Sequence, residues 1–287
     1  MNRVILGENL AVLRTLPSES VDLIYIDPPF NTGKVQKREF IRTTKDVDGD
    51  RTGFKGERYR TEKVGSAEFN DSFEDYWGFL EPRICEGYRT LKPNGSFYFH
   101  IDYREVHYCK VALDGVFGRK NFLNEVIWAY DYGAKTKSRW PAKHDNILVY
   151  VKDRSNFVFN VNEVDRIPYM APELAGPEKA ARGKLPTDVW FHTIVSPTGK
   201  EKLGYPTQKP LGILRRIVRA SCPQGGVVLD FFAGTGTAGM AALESGRKMI
   251  MVDSSPLAYA KMEIRFAAYR SQISFENQHA TLESQRP

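Results

Sequence analysis

Short continuous apolar runs, crowded with β-branched and aromatic residues, recur along the chain at 3–6, 21–26, 96–101, 123–130, 146–151, 226–231 and 248–252. Each predicts a buried strand. Between them, apolar residues return every three or four positions and predict helices over 10–16, 73–91, 105–117, 210–221, 235–244 and 256–268. The helix over 73–91 carries Phe73, Trp77, Leu80, Ile84, Tyr88 and Leu91 on one stripe, with Pro82 predicting a kink or break. Lys92-Pro93-Asn94-Gly95 then predicts a turn. Seven strands, most of them separated by helices, make the pattern of a doubly wound, mostly parallel α/β sheet. Residues 31–70 show little periodicity and predict a long loop. Residues 153–203 predict an insertion or surface excursion, and the polar stretch 271–287 a loosely held tail.

At 287 residues and 41% hydrophobic content, the chain suits one large α/β domain or two small ones. Cys85, Cys109 and Cys222 lie far apart, with no Cys-x-x-Cys and no clustered histidines. Neither a metal site nor a secreted disulfide framework is expected, and a reducing cytoplasm is. Met1 to Gly7 is too short for a signal peptide and reads as strand, and no apolar run approaches membrane-spanning length. The net charge of +6 favours a polyanionic partner, weakly by itself. The excess is concentrated: residues 34–63 hold ten Lys/Arg against six Asp/Glu, and Lys179 to Lys184 is a second basic cluster. Lys34, Lys37, Arg38, Lys55, Arg58, Arg182 and Lys184 are the candidate contacts to a phosphate backbone.

The run 21–26 stops at Asp27-Pro28-Pro29-Phe30. The prolines cannot donate to a ladder and have fixed φ, so Asp27 sits at a strand's carboxyl end, where open α/β sheets bind ligands. A carboxylate, a carbonyl outside any ladder and the flat face of Phe30 together suit a planar group with an exocyclic NH2. The competing reading is an ordinary strand exit with a solvated aspartate. Glu8 ends the first strand, as a turn residue or a ligand contact. His100 reads as a packed structural histidine more than a site residue, and Trp190 as core or function alike.

A second signal is Val227 to Gly239, where a strand enters a glycine turn and leaves as a helix. Gly234, Gly236 and Gly239 satisfy Gly-x-Gly-x-x-Gly, so a nicotinamide dinucleotide comes into question. Asp230 argues against it, because a carboxylate at the mouth of the turn would face a pyrophosphate, anion against anion. Asp253, ending the next strand, suits ribose hydroxyls under either reading. A ligand with ribose, ammonium and sulfonium but no phosphate is S-adenosylmethionine.

Taken together, Asp27-Pro28-Pro29-Phe30 and Asp230-Phe231-Phe232-Ala233-Gly234-Thr235-Gly236 resemble the amino-group DNA methyltransferases, and their order resembles the β group of that family. Tyr205-Pro206-Thr207-Gln208-Lys209-Pro210 resembles the segment closing the methionine end of the family's pocket, and Leu185 to Trp190 also looks familiar. The resemblance implies a seven-stranded sheet of order 3-2-1-4-5-7-6 in a single domain, 1–270, with a catalytic half (1–152) and a cofactor half (204–270). The basic loop would be 31–70, the target-recognition insertion 160–203 and the tail 271–287. It implies Asp27, Pro28, Pro29 and Phe30 as the catalytic motif. Glu8, Asp27, Thr207, Lys209, Asp230, Phe231, Ala233, Gly234, Gly236, Thr237 and Asp253 would hold S-adenosylmethionine. The expected activity is methylation of adenine N6 in a base flipped out of double-stranded DNA. Asp in the first motif position points to adenine, and cytosine N4 is the alternative. A cognate restriction endonuclease and a homodimer are further expected partners. The rival classes are a nicotinamide-dependent oxidoreductase, a silent DNA-binding protein, and an enzyme methylating a protein glutamine or an RNA base.

Overall fold

A computed structural model describes residues 2–52, 56–133, 135–196, 199–205 and 207–278. Two compact units emerge, one of Met1–Phe30 with Asp75–Pro287 and one of Asn31–Glu74. The larger unit opens with β1 (Asn2–Leu6), α1 (Asn9–Thr15) and β2 (Val21–Ile26). The smaller one holds β3 (Lys34–Lys45), β4 (Arg51–Thr52) and β5 (Arg58–Asp71). The chain continues through α2 (Tyr76–Thr90), β6 (Leu91–Ile101), α3 (Val106–Phe117), β7 (Phe122–Ala129) and β8 (His144–Val151). Then come α4 (Pro172–Ala175), α5 (Pro177–Arg182), β9 (Val189–Phe191), α6 (Leu211–Ser221) and β10 (Val227–Asp230). α7 (Thr237–Glu244), β11 (Lys248–Asp253), α8 (Pro256–Arg265) and β12 (Ile273–Asn277) complete it.

The large unit is built on a nine-stranded sheet in the order β12-β1-β11-β10-β2-β6-β8-β7-β9. With β1 counted as strand 3, the inner seven run 3-2-1-4-5-7-6. β8 alone runs against its neighbours, and every other pairing in this sheet is parallel. The count exceeds the expected seven by two short edge strands. One is β9, which lies parallel to β7 inside the segment expected as an insertion. Trp190 anchors it, packed in the core with its indole N–H on the Thr187 carbonyl, so the residue is structural. The other is β12, in the segment expected as a loose tail. Arg3 grips Glu276 through two hydrogen bonds and Ile273 is buried, which holds residues 273–277 against β1.

All six residues of β2 are buried, as a parallel strand covered on both faces requires. Leu23 and Tyr25 pack with Ile213 and Ile217 of α6 and Ala238 and Ala241 of α7. Ile24 faces Gly87 of α2 on the other side. Each apolar side chain fully buried here contributes about 1.5–3 kcal/mol. α2 runs through Pro82 rather than breaking, held by its buried Leu80 and Ile84 and capped by the Asp75 side chain on the Gly78 N–H. The expected turn at 92–95 is a register shift within β6, which pairs Val21 with Leu91 but Leu23 with Ser96. It carries Lys92 to buried Asp22, whose carboxylate also accepts from the Val227 N–H.

The small unit corrects the expected loop: 31–70 is largely a long antiparallel hairpin of β3 and β5 with β4 on its edge. Hydrophobic periodicity could not show it, because no face of Lys34–Lys45 or Arg58–Asp71 is consistently apolar. β-branched and aromatic residues such as Thr43, Thr44, Tyr59 and Thr61 were the available signal.

Candidate functional site

β2 and β10 lie side by side, with Leu23 opposite Val228 and Ile24 opposite Leu229. Asp27 and Asp230 therefore end neighbouring strands, and β11 brings Asp253 to the same edge through Asp230 opposite Met251. β1 follows, with Leu6 opposite Asp253, so Glu8 lies just beyond. The four acids share one edge because all four strands are parallel. This is the switch point where the connections leave in opposite directions.

The glycine turn follows Asp230. Gly234 and Gly236 have φ of +52° and +71°, the left-handed region that glycine adopts without a Cβ clash. Their surroundings differ. A Cβ on Gly236 would lie 2.6 Å from Phe266 Cζ, so that glycine serves packing. A Cβ on Gly234 would meet only Tyr205 Cε1, at 3.7 Å, so its open side leaves room for a ligand against the backbone. Asp253 braces the turn, accepting the Gly234 N–H at 2.7 Å on one oxygen and the Ser255 N–H at 2.9 Å on the other. Burial nonetheless raises its pKa to about 6, against the pull of those two N–H groups. Asp230 is pushed well above the usual carboxylate range, first by burial and then by Asp27 and Asp253, although the Phe232 N–H opposes this. A ligand with positive charge would relieve this crowd of carboxylates, whereas a pyrophosphate would aggravate it.

Asp27 is mostly buried and its two oxygens differ. Oδ2 takes the Lys209 ammonium at 2.7 Å. Oδ1 is buried with no hydrogen-bond partner. Such an orphaned acceptor is costly unless a donor arrives. The same ammonium lies 4.8 Å from the centre of the Phe30 ring. The Pro29 carbonyl is taken by the Tyr76 hydroxyl, while that of Pro28 has no recorded partner among the described residues. Behind the motif, His100 is fully buried between the Tyr25 hydroxyl at 2.8 Å and Asp145 at 3.1 Å, and Tyr130 donates to the same carboxylate. His100 is thus structural, 6.0 Å from Phe30 between ring centres.

Other expected cofactor residues take up backbone or packing duties. Glu8 caps α1 through the Ala11 N–H and receives Arg83 at 2.7 Å. Phe231 is buried against Gly87, and its carbonyl accepts from Asn9 Nδ2 at 2.9 Å. The Ala233 N–H is bound to the Val252 carbonyl. Thr237 donates to the Lys209 carbonyl and so ties the glycine helix to the 205–210 segment, where Thr207 is exposed with φ of +58°. Pro206 lies outside the described residues. Asn9, Tyr76, Asp145 and Arg83 complete the setting. Asp145, polar and just ahead of the apolar run 146–151, was their one sequence signal.

Among the candidate DNA contacts, Lys34 and Arg58 are exposed on the hairpin unit, and Lys37 and Arg38 belong to β3. Arg182 is exposed at the end of α5, and Lys184 is bridged to Ile167. Lys55 lies outside the described residues. A cavity of about 550 Å³ lies beside β9, lined by Tyr98, Val126, Phe159, Trp190 and Ile217 among others, and none of the expected site residues borders it.

Comparison with known proteins bears on the family and the fold. The N6/N4 methyltransferase family, described as DNA methylase, matches residues 21–262. The DNA adenine methyltransferase YhdJ of Escherichia coli (strain K12) is 31% identical over 281 residues, covering 95% of this chain and 85% of that one. The cytosine-N4-specific PvuII DNA methyltransferase superposes with a TM-score of 0.62 at 14% identity over 96% of this chain and 95% of that one. TTHA0409, a putative DNA modification methylase of Thermus thermophilus solved with S-adenosyl-L-methionine, gives 0.59 at 21% identity, over 96% and 98% of the two chains.

Proposed function

The chain belongs to the N6/N4 DNA methylase family, and on that premise we propose that it transfers the methyl group of S-adenosylmethionine to N6 of an adenine flipped out of duplex DNA. The observation that carries the reading is the divided carboxylate of Asp27: one oxygen fixed by Lys209, the other buried and unpartnered beside the glycine turn. Support for adenine over cytosine comes from the aspartate in the first motif position and from the adenine methyltransferase name of the 31% identical relative.

Asp230, Asp253 and the open side of Gly234 would hold the cofactor, which supplies an electrophilic methyl on a sulfonium. The amine is a poor nucleophile because its lone pair is delocalised into the ring. Asp27 Oδ1 and the Pro28 carbonyl would accept its two N–H groups and turn the lone pair towards the methyl. Phe30 would stack on the base, while Lys209 keeps the carboxylate oriented through Oδ2. Positioning of this kind supplies several orders of magnitude. Oδ1, already hydrogen-bonded to an N–H, is placed to take the proton once transfer is complete. Loss of that orientation in Lys209→Met should lower kcat about a hundredfold with cofactor affinity retained. Unchanged turnover would remove Lys209 from the account.

The two raised carboxyls make cofactor binding pH-dependent. Free protein resists ionising Asp253, near 6, and Asp230, raised well above the ordinary range. A cationic ligand selects the ionised forms, so binding should release protons, and affinity should fall about tenfold per pH unit below 6 from Asp253 alone. Stability of the free protein has the opposite sign: the raised carboxyls contribute stability below the usual carboxylate range, lost as pH rises through about 6. Calorimetric titration at pH 5 and 8, in buffers of different ionisation enthalpy, reads both effects. A flat affinity contradicts the assignment.

The basic hairpin unit, with Arg182 and Lys184, is assigned to the DNA backbone on charge alone. The experiment for the function is modified-base sequencing of DNA from cells expressing the protein, which yields base and sequence context together. N6-methyladenine in a recurrent context is expected, and DNA without any amino-methylated base rejects the reading.

A further inference from the structure

β7 runs parallel to β2, because β8 opposes both β6 and β7. The connection from β7 to β8 therefore leaves from the same sheet edge as Asp27. Its root is pinned by the Tyr130 N–H on the Lys143 carbonyl and by the Tyr130 hydroxyl on Asp145. Beyond the root, Trp140 is 95% exposed. A bare indole is the largest ring a side chain can show to water, apolar over its faces and able to stack. Lys135, Lys137 and Arg139 are exposed around it, Lys143 is half-buried at the base, and exposed Asp131 is the one acid in 131–143. Pro141 follows and restricts Trp140 to extended backbone, so the indole is presented with reduced freedom. Nothing in the catalytic or cofactor assignments uses these residues.

Resting on DNA as the substrate, we propose that Trp140 is the wedge that enters the base stack where the target base has left it, carried on an arm whose cations track the flanking phosphates. Flipping a base leaves an unstacked gap that an apolar side chain fills. Lys135, Lys137 and Arg139 lead up to the indole, so the arm combines the cations and the aromatic ring that such a contact uses. The distances allow it: β7 lies three strands from β2, about 14 Å at ordinary strand spacing, within reach of an arm of this length. A protein partner with an acidic, apolar surface is the competing occupant, and the test separates the two.

Oligonucleotides carrying the site identified by modified-base sequencing, with adenine at the target, give turnover as duplex and as single strand. A matched duplex with 2-aminopurine at the target, which has no 6-amino group to methylate, reports flipping by its fluorescence. Trp140→Ala should lower kcat/KM on duplex about ten- to a hundredfold and abolish the fluorescence rise of flipping. Single-strand turnover, cofactor affinity and thermal midpoint should not change, and Trp140→Phe should restore most of the duplex activity. Duplex turnover and flipping at wild-type level would overturn the wedge and leave methylation standing, as would an equal loss on single and double strands. Wild-type protein that methylates neither form would overturn the methyltransferase reading and the wedge with it.

Discussion

Replacing Asp27 by alanine should cut the rate of methyl transfer about a thousandfold, the scale seen when a positioned polar group is removed from a transition state. The substitution takes away the unpartnered Oδ1 and also releases Lys209 from Oδ2. Cofactor affinity should change little, because Asp230, Asp253 and the glycine turn remain and Asp253 keeps both of its backbone N–H partners. Asp27→Asn gives a graded control: the amide oxygen still accepts one hydrogen bond, but its NH2 faces Lys209 and weakens the pair. It should fall between wild type and alanine. Single-turnover assays with saturating cofactor separate the chemical step from binding. Alanine at full rate would show that the carboxylate is merely a strand terminator.

The second large effect is on stability and divides the two glycines of the turn. Gly236→Ala puts a Cβ 2.6 Å from Phe266 Cζ and 3.0 Å from Met262 Cγ, at a φ of +71°. The left-handed backbone costs about 1–2 kcal/mol and overpacking about 1–3 kcal/mol more, so unfolding free energy should fall by roughly 3 kcal/mol. Gly234→Ala meets only Tyr205 Cε1 at 3.7 Å, so its stability loss should be confined to the backbone cost of about 1 kcal/mol. Its Cβ instead fills the open side of the turn, and cofactor affinity should drop far more than stability. Urea denaturation with cofactor titration on both variants checks the contrast. The reverse order, with Gly234→Ala unstable and Gly236→Ala defective only in binding, would move the ligand to the other side of the turn.

Legibility followed burial. β2 runs over the six residues expected, because an apolar run ended by two prolines admits few alternatives. The glycine turn was as clear, since a strand, positive-φ positions and a helix start leave their own marks. What sequence could not show were contacts between residues far apart in the chain: Lys209 on Asp27, Asn9 on the Phe231 carbonyl, and Arg3 on Glu276, which turns an expected tail into β12. The polar hairpin escaped for a different reason, lacking the one-sided apolar face on which strand reading relies. β9 was too short, at three residues, to carry a period. The placement of Asp27 and of the left-handed Gly234 at the ends of neighbouring strands was legible, whereas the backbone duties of Glu8, Phe231 and Thr237 appear only in three dimensions.

Nucleoside analysis of DNA methylated in vitro bears most directly on the carboxylate that presents an exocyclic amine to a neighbouring methyl donor. Wild-type protein is incubated with unmethylated duplex DNA and S-adenosylmethionine labelled in its methyl group, and the DNA is digested and chromatographed. Label should appear in N6-methyldeoxyadenosine and be lost with Asp27→Ala. Label on a ring carbon, or the same yield from the alanine variant, would contradict the account.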